Sequence, residues 1–451
     1  MIEDLRALLG ERLSTAADVR ERHGRDVSHH PPAPPDAVAF PETTEEVQAI
    51  LRICARHATP VVPYGAGTSL EGQVTAPHGG LCIDLGRMRR ILALHEQDMD
   101  AVVQPGTTRA QLDARARESG LFFAVDPGAD ATLGGMASTR ASGTNAVRYG
   151  TMRDNVLALE VVLADGSAIR TGGRARKSSA GYDLTRLFVG AEGTLGVITE
   201  LTLRLHPLPE AVSAAVCPFD DLAGAVGTAA AVLRAGIDVA RIELLDETMV
   251  EAVRRYSGID HPVAPTLFLE FHGSASVVAA CARATEAIAL AHGGRSFRWA
   301  DDPGERETLW RARHDAYWAA LALRPGAHGH TTDVCVPISA LVPCILETRR
   351  DLESLPLIAP LVGHVGDGNF HLILLFDPAS ATERDLVRSI VERLVARALR
   401  HGGTCSGEHG IGVGKREFLL AEHGTAVESM RAIKRALDPT NRMNPGKVFL
   451  A

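Results

Sequence analysis

Apolar and polar positions along this chain repeat with two periods, and segments of the two kinds alternate. Residues 43–54 place Val47, Ile50, Leu51 and Cys54 at helical spacing, and Thr43 with Glu46 forms the reciprocal pair that opens a helix. Thr108 and Gln111 repeat that signature ahead of a helix over 108–119, with Gly120 placed to close it. Residues 60–63 and 156–163 are apolar runs of strand length, and Asp165-Gly166 turns the second into 168–171. Alternation through Val197, Thr199, Leu201 and Leu203 marks a strand within 195–205. After Pro207-Leu208-Pro209 the texture changes: Ala-rich helices over 223–234 and 277–291 lie between strands such as 266–270. A domain boundary is predicted near 210.

Composition narrows the class. At 451 residues, 45% hydrophobic and 23% charged, the chain can bury a large core, as two lobes or about three domains. No uncharged stretch is long enough to span a bilayer. A net charge of −8 gives no bulk attraction to nucleic acid. The seven cysteines are odd in number and form no CxxC pair, so they read as reduced cytosolic thiols rather than a disulfide or zinc framework. Glu3, Asp4 and Glu11 argue against a secretory or transit leader, so a cytoplasmic location is expected, with the inner face of a membrane as alternative.

The 43 glycines cluster around 65–80, 128–150, 172–196 and 402–414, where backbone would approach a large ligand. The usual nucleotide fingerprints fail. A GxGxxG from Gly65 meets Leu70, one from Gly410 meets Lys415, and a P-loop ending at Lys415 meets His409 and Arg416. The run Gly65-Ala-Gly67-Thr68-Ser69 still offers the amides and hydroxyls of an anion nest, and 126–145 repeats the decoration. A tight strand-to-helix turn is the bland alternative for either run alone.

The stretches 63–72, 134–150, 190–199 and 444–448 resemble the FAD-contacting motifs of the vanillyl-alcohol-oxidase (PCMH-type) flavoproteins. With 363–371 and 406–410 they are similar to the D-lactate dehydrogenase and glycolate oxidase D-subunit branch, over residues 36 to 450. The resemblance implies an α+β fold. Its parts would be an N-terminal helical segment (1–35), a PCMH-type FAD-binding domain of two α+β subdomains (36–210) and a substrate domain with a mainly antiparallel sheet (211–405). A C-terminal segment (406–451) would return to the FAD domain. It implies FAD contacts at Pro63, Gly65, Gly67, Thr68, Ser69, Pro127, Gly128, Gly134, Gly135, Ser138, Ser142, Gly143, Asn145, Glu192, Gly193, Gly196, Ile198 and Asn444. Covalently flavinylated members often carry His where this chain has Thr68, so the FAD is expected to be non-covalent.

Residues 363–371 suggest chemistry without the family. If Asp367-Gly368 is a two-residue hairpin turn, His364 lies opposite His371 with Cβ atoms about 5 Å apart, close enough to share a metal. A decorative turn bearing two histidines is the alternative. Glu408-His409, between Gly407 and Gly410, adds a carboxylate and a third imidazole. By resemblance, His364, His371 and Glu408 hold a divalent metal, His409 is the base, and Arg313 rather than Arg311 binds the substrate carboxylate. Zinc is expected, and manganese or iron(II) also suits two imidazoles and a carboxylate.

Dicarboxylate-specific relatives carry a lysine just before the Asp of the next strand; here Thr331 and Thr332 precede Asp333, favouring lactate-like or longer aliphatic substrates. The expected reaction is oxidation of a D-2-hydroxy acid, with hydride passing to flavin N5. Electrons would pass on to a cytochrome, quinone or electron-transfer flavoprotein. A glycolate oxidase flavin subunit and a D-2-hydroxyglutarate dehydrogenase are the alternatives within the class. A zinc hydrolase is the alternative outside it, though no HExxH occurs and the glycine loops would go unexplained. A flavin-binding subunit without catalysis is a further alternative, disfavoured by the intact histidine set. The oligomeric state is open, with a homodimer as candidate. Arg170, Arg174, Arg176 and Lys177 read as a solvated loop, and Trp310 and Trp318 as core of the substrate domain.

Overall fold

Thr43 opens the helix Thr44–Arg56 by accepting the Glu46 amide, but the reciprocal half of the box is not made. Instead, Glu46 binds Arg12 at 2.6 Å and takes the Glu42 amide at 2.7 Å. A cation from outside the helix out-competes the local partner. Thr108 and Gln111 close their box in full at Arg109–Arg117, and the helix is capped at Glu118, with Gly120 further on at φ +69. Each cap contributes about 1 kcal/mol. Thr44–Arg56 owes more to its buried face of Val47, Ile50, Leu51 and Cys54, since truncating one such residue costs about 2–5 kcal/mol.

The structure is a computed structural model, which describes residues 1–258 and 260–450; residue 451, the end of the expected C-terminal segment, and residue 259 lie outside it. Two units emerge. One comprises Met1–Ser142, Gly150–Leu208 and the chain from Glu408 onward; the other comprises Gly143–Tyr149 and Pro209–Gly407.

The first unit holds a four-stranded and a five-stranded sheet. In the four-stranded sheet Ala37–Ala39, Leu81–Asp84 and Val61–Tyr64 run parallel, with Leu13–Ser14 antiparallel at the edge. The five-stranded sheet is antiparallel, in the order Ile91–His95, Asp100–Val103, Val197–Arg204, Val156–Val162, Ala168–Gly172. The cores behind them join Leu51, Leu81, Ile83 and Val162 in one cluster and Leu112, Met136, Leu159 and Leu201 in another.

An eight-stranded antiparallel sheet dominates the second unit. Its path runs Arg298–Ala300, Ala211–Pro218, Thr266–Gly273, Arg241–Leu245, Leu361–His364, Asn369–Phe376, His328–Thr331, with Val334–Cys335 also paired to Asn369–Phe376. One face packs Val216, Phe268, Val362 and Ile373 against Met249, Trp310 and Ala316. Trp310 is core as expected, whereas Trp318 is 60% exposed. Helix Ala316–Ala322 buries Ala316, Ala319 and Ala320, and the helical period turns residue 318 outward. None of the seven cysteines forms a disulfide. In the basic run, Arg170 binds Glu160 and Glu200, and Arg174 binds Asp98 and Asp100, so only part of its charge is available to solvent.

Candidate active site

The turn before His371 is longer than a two-residue hairpin, and the register moves with it. Val362 pairs with His371 and His364 with Asn369, so His364 is not directly opposite His371 as the sequence suggested. Residues 365–368 form the loop. Its path is set by distant backbone: the Gly366 amide donates to Ile242 at 3.3 Å, and the Gly368 carbonyl accepts from Val336 at 2.9 Å. Gly368 has φ +81 and lies where a Cβ would strike the Val336 carbonyl, so glycine is required there. A shift of two residues preserves strand parity, and both histidines still project from one face; a shift of one would have separated them. Their ring centroids are 5.5 Å apart.

Both rings are fixed through Nδ1. His371 Nδ1 donates to the Thr332 carbonyl at 2.7 Å, and His364 Nδ1 donates to Glu243 Oε1 at 2.7 Å. With Nδ1 carrying the proton, each Nε2 keeps a lone pair for a ligand. The second Glu243 oxygen accepts from Arg313 Nε at 2.7 Å. Glu243 is 1% exposed; burial by itself would raise its carboxyl, but His364 and Arg313 outweigh it and hold the carboxyl below its usual value. Arg313 is thus anchored on the site's own strand, while Arg311 on the same helix is exposed.

Asp333, also buried, prepares the segment that leads to Glu408. It accepts from Asn369 Nδ2 at 2.8 Å and from Ser406 Oγ at 2.9 Å. Gly407 fits where a Cβ would collide with the Asn369 amide. Glu408 follows immediately. Among the described residues, His364, His371 and Glu408 are a group whose donor atoms all lie within 4.8 Å of one another. Two imidazoles held through Nδ1, together with a carboxylate, are a donor set that fits a divalent ion. His409 comes next, its carbonyl accepting from Gln73 Nε2 at 2.7 Å.

In the first unit, Gly65 lies where a Cβ would run into the Thr132 hydroxyl, and that buried hydroxyl lacks a hydrogen-bond partner. Asn444 Oδ1 is buried and unsatisfied too, while its amide donates to the carbonyls of Gln73 at 3.0 Å and Glu192 at 2.7 Å. A buried polar atom left unpaired costs about 1–3 kcal/mol. One orphan hydroxyl and one orphan carbonyl suit a ligand offering both acceptors and donors, as a flavin dinucleotide does. Pro63, Gly65, Gly67, Thr68 and Ser69 are all partly open, as is Pro127, and Gly128 is exposed.

Residues 35–172 match the family described as FAD binding domain, and 208–448 match the FAD linked oxidases, C-terminal domain. The second match alone spans more than half of the chain. The chain belongs to the FAD-linked oxidases. The oxidase is 52% identical to a zebrafish protein named probable D-lactate dehydrogenase, mitochondrial, over all of this chain and 91% of that one. It is 40% identical to the Saccharomyces cerevisiae D-lactate dehydrogenase [cytochrome] 1, mitochondrial, over all of this chain and 79% of that one. It is 35% identical to glycolate oxidase subunit GlcD of Bacillus subtilis, over 92% and 89%. The solved structure of p-cresol methylhydroxylase, at 19% identity, superposes with a TM-score of 0.81 over 99% of this chain and 96% of that one. Its fold is the PCMH-type α+β fold expected.

Several side chains of the oxidase's expected flavin residues are committed elsewhere. Ser69 Oγ donates to Asp26 at 2.8 Å, and Asn145 Oδ1 accepts from Arg241 at 2.8 Å. Ser138 Oγ donates to the Gly134 carbonyl at 2.8 Å. Ile198 is part of the core. Glu192 gives both oxygens to backbone amides, at Ile411 and Gly412, each at 2.7 Å. The remaining glycines are pressed against protein: Gly134 against Pro105, Gly135 against Thr132, Gly193 against Pro63, Gly196 against Val161. Ser142 and Gly143 are buried. Sequence reasoning assigned no role in the site to Glu243, Asp333, Thr132 or Gln73. Only Glu243 left a signal, as a charged residue inside the apolar strand Arg241–Leu245.

Proposed function

We propose that the oxidase converts a D-2-hydroxy acid, D-lactate first, to the 2-oxo acid, with non-covalent FAD and a divalent cation, zinc first, at His364, His371 and Glu408. The observation that carries the reading is Glu243, a buried carboxylate shared between the expected metal ligand His364 and the expected substrate cation Arg313. Bound FAD would supply the hydride acceptor and the cation an electrophile that makes the substrate hydroxyl more acidic. Arg313, its Nε held by Glu243, presents its terminal N–H groups to the substrate carboxylate in the bidentate geometry guanidinium favours. His409 accepts the hydroxyl proton on a ring nitrogen. His364 and His371 keep their Nε2 lone pairs because Nδ1 of each is a committed donor.

A monocarboxylate is favoured by Thr332. It is buried, its hydroxyl accepting from the Leu372 amide and its carbonyl from His371, and it brings no positive charge to a second carboxylate. The electron acceptor we propose is a cytochrome, as in the names of the yeast and Arabidopsis relatives, ahead of a quinone or an electron-transfer flavoprotein. No described helix is long and apolar enough to cross a membrane. The cytoplasmic location stays a proposal, set against zebrafish and yeast relatives named as mitochondrial.

The test is the anaerobic visible spectrum of the purified protein before and after D-lactate, L-lactate, glycolate and D-2-hydroxyglutarate. Bleaching of the flavin bands by D-lactate ahead of the others is expected. Fastest bleaching by glycolate would transfer the protein to the glycolate oxidase reading, and no bleaching by any 2-hydroxy acid would end the proposal. Within it, Glu243→Gln keeps the side-chain volume but gives His364 Nδ1 and Arg313 a neutral partner. Zinc affinity is expected to fall about 10- to 100-fold, read by competition with a fluorescent chelator, with flavin absorbance unchanged.

A further inference from the structure

Glu192 lies in the glycine-rich stretch 190–199, yet its carboxylate serves the loop that carries His409. Ile411 N donates to Oε1 and Gly412 N to Oε2, each at 2.7 Å. Gln73 adds a third tie, Nε2 to the His409 carbonyl at 2.7 Å. Residues 409–412 belong to no helix or strand, so these bonds supply what regular structure does not. The glycines fit the clamp: a Cβ on Gly410 would stand 2.8 Å from Glu192 Oε1 and 3.0 Å from Gln73 Nε2, and one on Gly412 would collide with the Glu71 backbone.

The clamp is held at a cost. Glu192 has φ +52, a conformation non-glycine residues seldom adopt, and it is 5% exposed. Burial pushes its carboxyl up to about 7 in spite of the two amides. Its backbone is tied at both ends, the amide to the Ser138 carbonyl at 2.8 Å and the carbonyl to Asn444 Nδ2 at 2.7 Å. A strained, desolvated carboxylate is a poor choice for stability alone. It is a good choice where backbone must be placed to within a fraction of an ångström, because a misplacement near 1 Å at a reacting group costs about 100-fold in rate.

We propose that Glu192, assisted by Gln73, is a positioning residue that fixes the 409–412 backbone and so aims the His409 imidazole at the substrate hydroxyl. This rests on His409 acting as the base. The experiment uses the full-length, FAD-loaded chain and compares Glu192→Gln, His409→Gln and the double variant. Flavin content, kcat and KM for D-lactate, and the solvent deuterium isotope effect on kcat are measured.

Gln offers one acceptor and one donor to two amide donors, so one contact becomes repulsive. Glu192→Gln is expected to keep its flavin and its KM within twofold, lose about 10- to 100-fold in kcat, and show a larger solvent isotope effect. In the His409→Gln background the same change is expected to cost nothing further. Wild-type kcat and isotope effect in Glu192→Gln, with His409→Gln impaired, would overturn the clamp and leave the base in place. Loss of FAD, or a raised KM at unchanged kcat, would overturn it in favour of a cofactor- or substrate-holding role. Wild-type kcat in His409→Gln would remove the base reading and the clamp together. Should Glu192→Gln not fold, Gln73→Met cuts the tie to the His409 carbonyl, together with the bond its Oε1 accepts from the Glu71 amide at 3.0 Å, and is judged by the same criteria.

Discussion

Replacing His409 with glutamine is expected to lower the rate of flavin reduction by D-lactate by about 100- to 10,000-fold while FAD stays bound. A hydroxyl is far too weak an acid to release its proton unaided near neutral pH, and hydride cannot leave C2 readily until that proton is going. Imidazole is the side chain whose ordinary pKa lets it accept a proton in this range. Glutamine keeps much of the volume and some hydrogen bonding but cannot act as a base. Because the His409 carbonyl and the amides at 411 and 412 are held by Gln73 and Glu192, the loop retains its path in the variant. Anaerobic stopped-flow reduction isolates this step from reoxidation by the acceptor. The residual rate is expected to climb with pH as hydroxide takes over, and a wild-type rate at pH 7 would retire His409 as the base.

Removing the metal is expected to have an effect of similar size. Dialysis against a strong chelator should reduce D-lactate-dependent bleaching by about 100- to 10,000-fold, the equivalent of several kcal/mol of charge stabilisation. Zinc or manganese should restore the native protein but not His371→Ala. His371 is the informative position because its ring is 4% exposed and fixed by the Thr332 carbonyl, so removing it takes away a ligand while Asp333, 3.9 Å from its Nδ1, keeps its bonds from Asn369 and Ser406. A change at Glu243, by contrast, would disturb Arg313 and His364 together. Full activity after chelation, with no zinc, manganese or iron detectable by mass spectrometry, would reduce the histidine pair to a structural role.

The amino-acid sequence by itself determined the local signals and the family. The capping box at Thr108, the alternation through Leu201 and Leu203 and the turn at Asp165-Gly166 each depend on residues within a few positions of one another, and each is present in the fold. Long motifs such as 134–150 and 190–199 were enough to point to the FAD-linked oxidases because so many of their residues are glycines and small polar residues in a set order.

Tertiary structure decided the rest. The loop at 365–368 took its length from Ile242 and Val336, not from the Asp-Gly pair within it. Glu46 left its capping partner for Arg12, 34 residues away. Glu243 reaches His364 across 121 residues and Arg313 across 70, and Glu192 reaches Ile411 across 219. A hydrogen bond between groups so far apart leaves no periodicity and no spacing to read. It exists only because segments distant in the chain are packed side by side, and burial then makes an unpaired carboxylate there too costly to leave unmatched.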